Sequence, residues 1–336
     1  MRKLFKAVAL GAVVAGTVAN ITWSQEGIDD PQREPFYSSL ADKRVVFLPL
    51  SMGFDLTETW AAIMAKQAEH LGYDFDIRDP NWSTDAGAQA LTQIITEKPD
   101  LIVVHNPDIQ VYARLIQRAQ KEGIYVLQVN MRSAYASEGY VGPDWIEVGE
   151  LLAKTAVAKC SPANGGSGKI AITQGPLTAP ASAYQIRGVF NILEQNPDIV
   201  VVSNQAADWD ASKARAVTAT ALQQNEDLCA VIGFWDGQDI GIAAAVEEAG
   251  RQGEVSVITS GAGTSTACEN ISAGKFTDYI NYNSKGQGRD LNNLIAELLQ
   301  TRPEVGKTKI SLYSPLTLTT AENLKPDSCY RLDDLK

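Results

Sequence analysis

Hydrophobic and polar positions along the chain follow two alternating rhythms. Short, nearly continuous apolar runs occur at "RVVFLPL", "DFDIRD", "LIVVHN" and "IYVLQVN", then at "KIAITQG", "IVVVSNQ", "CAVIGFW", "VSVITSG" and "YINYN". Between them, apolar residues recur every three or four positions, as in "TETWAAIMAKQAEHLG", "DAGAQALTQIITEKP", "VYARLIQRAQKEG" and "DIGIAAAVEEAGRQG". The first rhythm predicts strands buried on both faces, and the second predicts amphipathic helices, several of them closed by a glycine. Strands alternating with helices of this length build parallel sheets covered on both sides, an α/β architecture. The series restarts near residue 168, after the Gly/Ser/Asn-rich "SPANGGSG", which predicts two doubly wound units of four or more strands each.

Ligands of doubly wound sheets gather at the carboxyl ends of the strands. In "PDLIVVHNPDIQVYARLIQRA" the apolar run stops at His105-Asn106-Pro107-Asp108 and helical spacing resumes at Ile109. Asn106 and Asp108 therefore either face a cleft or cap that helix, and His105 reads as a packing residue beside the cleft. Asn130 and Arg132 end the next run. In the second unit the corresponding ends carry Gln174, Tyr184 and Arg187, then Gln205, Asp208 and Trp209, then Trp235 and Asp236, then Ser260. Amide, carboxylate and guanidinium groups exchange hydrogen bonds with hydroxyls, and aromatic faces stack on apolar ring faces, a combination that suits a sugar or polyol. Trp82 and Trp145 either add to this set or pack at the surface of a lobe.

Composition narrows the class. With 45% hydrophobic and 21% charged residues the chain is an ordinary globular one. "MRKLFK" followed by the short apolar "AVALGAVVAGTVA" predicts an export signal within residues 1–24, cleaved after Ala19 or Ser24. Its loss removes Arg2, Lys3 and Lys6 and takes the formal net charge from −11 to −14, a balance that opposes nucleic acid and anionic lipid. Cys160, Cys229, Cys268 and Cys329 contain no Cys-x-x-Cys pair, so in an exported chain they read as two disulfides with three possible pairings. Cys160 and Cys229 fall just ahead of strands that a parallel sheet places side by side, which favours joining them and leaves Cys268 for Cys329. His70 and His105 are the two histidines, and there is no His-Glu-x-x-His, Gly-x-Ser-x-Gly or metal-ligand cluster. "GGSGK" precedes a strand and reads as a turn, so no enzyme, metal or cofactor chemistry is predicted.

The stretches "AEHLGYDFDIRDPNWSTDAGAQALTQIITEKPDLIVVHNPD" and "AADWDASKARAVTATALQQNEDLCAVIGFWDGQDIGIAAAV" resemble the first and second domains of the type I periplasmic substrate-binding proteins of ABC importers, above all the ribose-binding group. The likeness runs from about Lys43 to Thr319. It implies a monomer of two lobes that close on a ligand, joined by three crossings, at Val141, Gly142 and Pro143, at Tyr282 and Asn283, and at Tyr313 and Ser314. The first lobe would comprise 43–141 with 283–312, and the second 144–281 with 315–336. The resemblance gives Asn106 a bond to a sugar hydroxyl and places Phe54 and Asp55 in a loop where the family has an Asn and stacking aromatics. Trp209 stands for a stacking Phe, Trp235 replaces an Asn with Asp236 retained, and Tyr282 replaces a Gln.

Three departures bear on the ligand. Asn130-Met131 stands where pentose binders carry an Asp-Arg clamp, which makes the neighbouring Arg132 a candidate replacement. Tyr184 takes the place of an Arg, with Arg187 one turn on, and Gly261 takes the place of an Asp. Exchanging charged clamps for aromatics points away from ribose and toward another sugar, a polyol or cyclitol, or an aromatic or other less polar solute. The implied partner is an ABC permease in the inner membrane; a chemoreceptor or sensor kinase is the alternative.

Overall fold

The computed structural model describes residues 30–335; the export signal expected in 1–24 lies outside the described residues. Two six-stranded sheets form the framework. The first contains β1 (Arg44–Leu48), β2 (Asp74–Ile77), β3 (Leu101–Val104), β4 (Tyr125–Val129), β5 (Gly139–Gly142) and β11 (Ile310–Tyr313), in the order β2-β1-β3-β4-β5-β11. The second contains β6 (Lys169–Gln174), β7 (Val200–Ala206), β8 (Ala230–Gly233), β9 (Ser256–Gly261), β10 (Asp278–Asn281) and β12 (Thr317–Thr319), in the order β7-β6-β8-β9-β10-β12. Every pairing is parallel except β10 with β12. The two doubly wound lobes read from the strand–helix alternation are therefore present.

The helices are α1 (Arg33–Leu40), α2 (Asp55–Leu71), α3 (Thr84–Glu97), α4 (Ala113–Lys121), α5 (Trp145–Cys160), α6 (Pro180–Leu193), α7 (Ala211–Gln224), α8 (Asp236–Glu248), α9 (Ser265–Ser272) and α10 (Ser284–Thr301). Central strands β3, β4 and β8 are buried at every position, as a sheet sandwiched between helices requires. Helix α2 stops at Gly72, whose left-handed φ of 76° closes it. Two details differ from the pattern-based expectation. The helix expected from Ile109 begins at Ala113, because the Asp108 carboxylate accepts from the Gln110 and Val111 N–H groups (2.6 and 3.1 Å) and holds a turn there instead. Helix α1 carries no comparable signal of its own; it lies against α10.

The chain passes between the sheets three times: from β5 to α5 through Pro143 and Asp144, from β10 to α10 through Tyr282 and Asn283, and from β11 to β12 through Ser314. The Ser314 N–H donates to the Gly142 carbonyl (2.9 Å), stitching the first crossing to the third. Gly142 has no room for a side chain, since a Cβ would fall 2.5 Å from the Tyr140 hydroxyl and 2.8 Å from the Asn130 Cα. Asn283 caps α10 from a left-handed φ of 56°, its side-chain oxygen accepting from the Gly286 N–H.

Disulfide Cys160–Cys229 joins the end of α5 to the residue before β8, and Cys268–Cys329 ties α9 to the C-terminal tail. The tail follows β12 of the second sheet and also reaches the first lobe. The Tyr330 backbone pairs with Gly263 and Ser265 of the second lobe. Its hydroxyl hydrogen-bonds Thr59 on α2 (2.7 Å) and Ser284 at the start of α10.

Candidate functional site

The carboxyl ends of the two sheets face each other across a narrow cleft. The lobes touch there: the Ile109 N–H donates to the Thr178 carbonyl (3.1 Å), and the Phe54 ring meets Trp235 edge-on at 5.5 Å. They leave a cavity of about 30 Å³, room for no more than a few waters. Among the described residues, no Asp, Glu, Lys or Arg side chain lines it.

Aromatic rings form most of its wall. Phe54, the residue before α2, stacks on Trp82 at 5.0 Å, and Trp235, the residue before α8, lies 6.0 Å from Trp209. Trp145, the first residue of α5, and Tyr282, on the second crossing, meet at 5.3 Å. Trp82 follows β2 and Trp209 follows β7, corresponding strands of the two lobes. Each sits in a pair of left-handed residues just before a helix cap: Asn81 and Trp82 at φ 48° and 66°, Asp208 and Trp209 at 54° and 62°. Such residues carry a cost of roughly 1–3 kcal/mol each, and strain of this kind concentrates at functional sites. Here it is held by backbone amides: Trp82 N–H donates to the Leu50 carbonyl (2.8 Å) and Trp209 N–H to the Gln238 side chain (2.9 Å). The rings of Trp209 and Trp235 lie so flat on Gly175 and Gly237 that a Cβ at either glycine would come within 2.3 Å of them.

The polar part of the wall comes from the first lobe and from Tyr282 on the second crossing. His105 is 1% exposed, and both of its ring nitrogens are unpartnered. Burial pushes its pKa down to about 3, opposed by the Asn130 amide beside it, so the ring is neutral. Trp60 meets His105 edge-on at 5.1 Å, and its own indole N–H has no partner. Asn130 holds a left-handed φ of 60°; its carbonyl accepts from the Tyr140 hydroxyl (2.7 Å) and the Trp145 indole (2.6 Å), while its side-chain NH₂ is unpartnered. Asn106 is completely buried. Its NH₂ donates to Gln128 (3.0 Å) and to the Met131 carbonyl (2.9 Å), which leaves its side-chain oxygen unpartnered.

Of the residues singled out in the sequence, Phe54, Trp82, His105, Asn130, Trp145, Trp209, Trp235 and Tyr282 line the cavity. Asn106 lies outside the lining, held by the strand-end amides. Asp55 and Asp236 line an adjoining groove of about 360 Å³ between the lobes. There Asp236 accepts from the Tyr279 hydroxyl (2.7 Å), and burial pushes its pKa up to about 7. Arg132 and Tyr184 are not brought to the cavity. They line a separate groove at the hinge, where the Arg132 guanidinium lies 4.5 Å from the Tyr140 ring centroid and bonds the Tyr313 hydroxyl. The left-handed turn at Asn130 puts Met131 in the cavity wall and Arg132 in that groove, away from the cavity. Strand-end reasoning passed over His105 as packing and missed Met131 and Phe234 as wall residues. The Trp82–Trp209 correspondence has a sequence signal, "PNWSTDA" against "ADWDASK", visible only when the two halves are laid on each other.

The chain matches the periplasmic binding protein domain family over residues 45–303. It belongs to that family. Among periplasmic binding proteins it is similar to the D-allose-binding periplasmic protein of Escherichia coli K12, at 30% identity over 50% of this chain and 55% of that protein. It is also similar to the D-xylose-binding periplasmic protein of Haemophilus influenzae, at 28% identity over 66% of this chain and 68% of that protein. The match to the first of these thus spans little more than half of that relative's length. A solved ABC-transporter solute-binding protein from Burkholderia graminis, in complex with D-arabinose, shares the fold of this periplasmic binding protein. Its TM-score is 0.76 at 20% identity, covering 85% of this chain and 98% of that one. Among the described residues, no group of three or more His, Cys, Asp or Glu is placed to hold a metal, and no helix is long and apolar enough to cross a membrane.

Proposed function

We propose that this protein is a periplasmic solute-binding protein that carries a small uncharged ligand, a sugar or polyol, to an ABC permease. The observation that carries the reading is the cavity between the carboxyl ends of both sheets, walled by rings from both lobes and edged by unpartnered polar groups of His105 and Asn130. Each lobe supplies half of this site. A ligand that touches both halves shifts the lobes toward the closed form, with the motion confined to the three crossings. The permease would then read the paired outer faces of the closed lobes. Sugar-binding relatives and the uncharged lining support a neutral hydroxylated ligand over an ionic one.

The test is a thermal-shift screen of mature protein, unfolded and refolded to remove any bound ligand, against pentoses, hexoses, deoxysugars, polyols, cyclitols and small aromatics. A cognate ligand at 100 times its Kd stabilises the native state by about 2.7 kcal/mol. One carbohydrate or polyol should raise the midpoint, and the rise should vanish in Trp209→Ala and in Asn130→Ala. No rise with any carbohydrate or polyol would overturn the reading.

A further inference from the structure

The hydrogen-bonding groups of the cavity wall are unevenly divided between the lobes, and this division sets what can bind. It rests on the reading of the cleft as the ligand site. The second-lobe side chains on the wall, Trp145, Ala181, Trp209, Phe234 and Trp235, lack a hydrogen-bond acceptor, and the Tyr282 ring beside Trp145 brings a hydroxyl at the second crossing. Most polar groups packed behind them are committed to one another, while the buried Ser182 hydroxyl beside Ala181 has no partner. The Gln185 amide donates to the Ala181 and Phe234 carbonyls (3.1 and 3.3 Å), and the Ser260 hydroxyl donates to the Phe234 carbonyl (3.0 Å). Asp239 accepts from the Thr259 hydroxyl (2.5 Å) and the Trp235 N–H (3.1 Å). On the first-lobe side, among apolar neighbours, His105 offers one acceptor and one donor nitrogen and Asn130 an NH₂, all unpartnered and buried.

A fully hydroxylated sugar carries hydroxyls around its whole rim. On closure those facing the second lobe would be desolvated against rings, a loss worth a factor of about ten or more in affinity for each hydroxyl left unpaired. A ligand whose hydroxyls lie along one edge, with a methyl or methylene group opposite, avoids that loss and buries apolar surface. We infer that His105 is the specificity-determining contact of this cleft, and that the ligand is an uncharged deoxysugar or partly deoxygenated polyol. Its hydroxyl edge would face His105 and Asn130, and its apolar edge Trp209, Trp235 and Phe234.

Isothermal titration of the refolded, ligand-free protein with matched pairs tests this: D-fucose against D-galactose, L-rhamnose against L-mannose, 2-deoxy-D-ribose against D-ribose, together with the strongest compound from the screen. The deoxygenated member of a pair should bind at least about tenfold more tightly than its parent. His105→Phe keeps a ring of similar size and removes both nitrogens, so it should weaken that ligand's Kd about tenfold or more. It should also raise the melting temperature of the ligand-free protein, because two unpartnered buried nitrogens are gone. His105→Gln, which keeps a donor and an acceptor, should retain affinity within a few-fold and serves if the Phe variant does not fold. A fully hydroxylated sugar as the tightest ligand, parents that bind as well as their deoxy partners, or an unchanged Kd in His105→Phe would each overturn the inference while leaving the cleft as the binding site. Failure of every carbohydrate and polyol would instead overturn the site reading itself.

Discussion

Single residues in the cleft do different work from their neighbours because burial and partners differ atom by atom. Asp236 and Asp239 are one turn apart at the start of α8, and burial pushes them up to about 7 and about 8. A carboxyl whose folded pKa lies that far above its unfolded value near 4 keeps its proton in the native state where the unfolded chain has lost it. Its stabilising contribution is therefore present at low pH and is lost as pH rises through 7 to 8. His105 acts in the opposite sense, since the unfolded chain takes up a proton below about 6.5 and the native ring does so only near 3. Between pH 6.5 and 8.5 the carboxyls act without it. Urea denaturation across that window should show stability falling with pH, and Asp239→Asn, which has no proton to lose, should flatten the fall. An equally steep fall in the variant would assign the slope to other groups.

At the scale of elements, the second lobe depends on a covalent tie that the first lobe lacks. Cys160–Cys229 closes a loop of 69 residues and anchors α5, the helix that leads out of the hinge, to the sheet entrance at β8. The chain-entropy account of such a cross-link gives about 4 kcal/mol of stability. Equilibrium denaturation of the Cys160→Ala/Cys229→Ala double variant should show a loss of that order. The Cys268–Cys329 bridge has a different role, because it fixes the segment whose Tyr330 reaches across to α2 and α10. Short strands and capped helices were legible along the chain, since burial on both faces forces continuous apolar runs and a half-buried helix forces a period near 3.6. The tail carries neither period, as it is held by one disulfide and a few specific hydrogen bonds.

For the molecule as a whole, rings from one lobe rest on rings from the other. Phe54 and Trp82 from the first lobe meet Trp235 from the second at 5.5 and 6.2 Å, without a charged pair among the residues lining the cavity. Apolar contact of this kind lets the lobes approach before a ligand is fully engaged, and its removal should favour the open arrangement. Small-angle X-ray scattering of ligand-free Trp235→Ala should give a larger radius of gyration than the parent protein, with affinity for the cognate ligand reduced about tenfold or more. An unchanged radius would mean that the crossings alone set the resting arrangement.

The alternation of runs and periods was enough to determine two doubly wound lobes, their restart near residue 168 and the strand ends at which a site must form, because those features follow from local burial. The favoured cysteine pairing came from the same logic of adjacent strands. What the tertiary structure decided is direction. His105 and Asn106 are adjacent at a strand end, yet the first borders the cavity while the second spends its NH₂ on Gln128 and the Met131 carbonyl. Arg132 is two residues from Asn130, and a left-handed turn carries it to the hinge groove beside Tyr140 and Tyr313. Which way a side chain leaves a loop depends on single dihedral angles and on partners far along the chain, and neither leaves a periodic trace in the sequence.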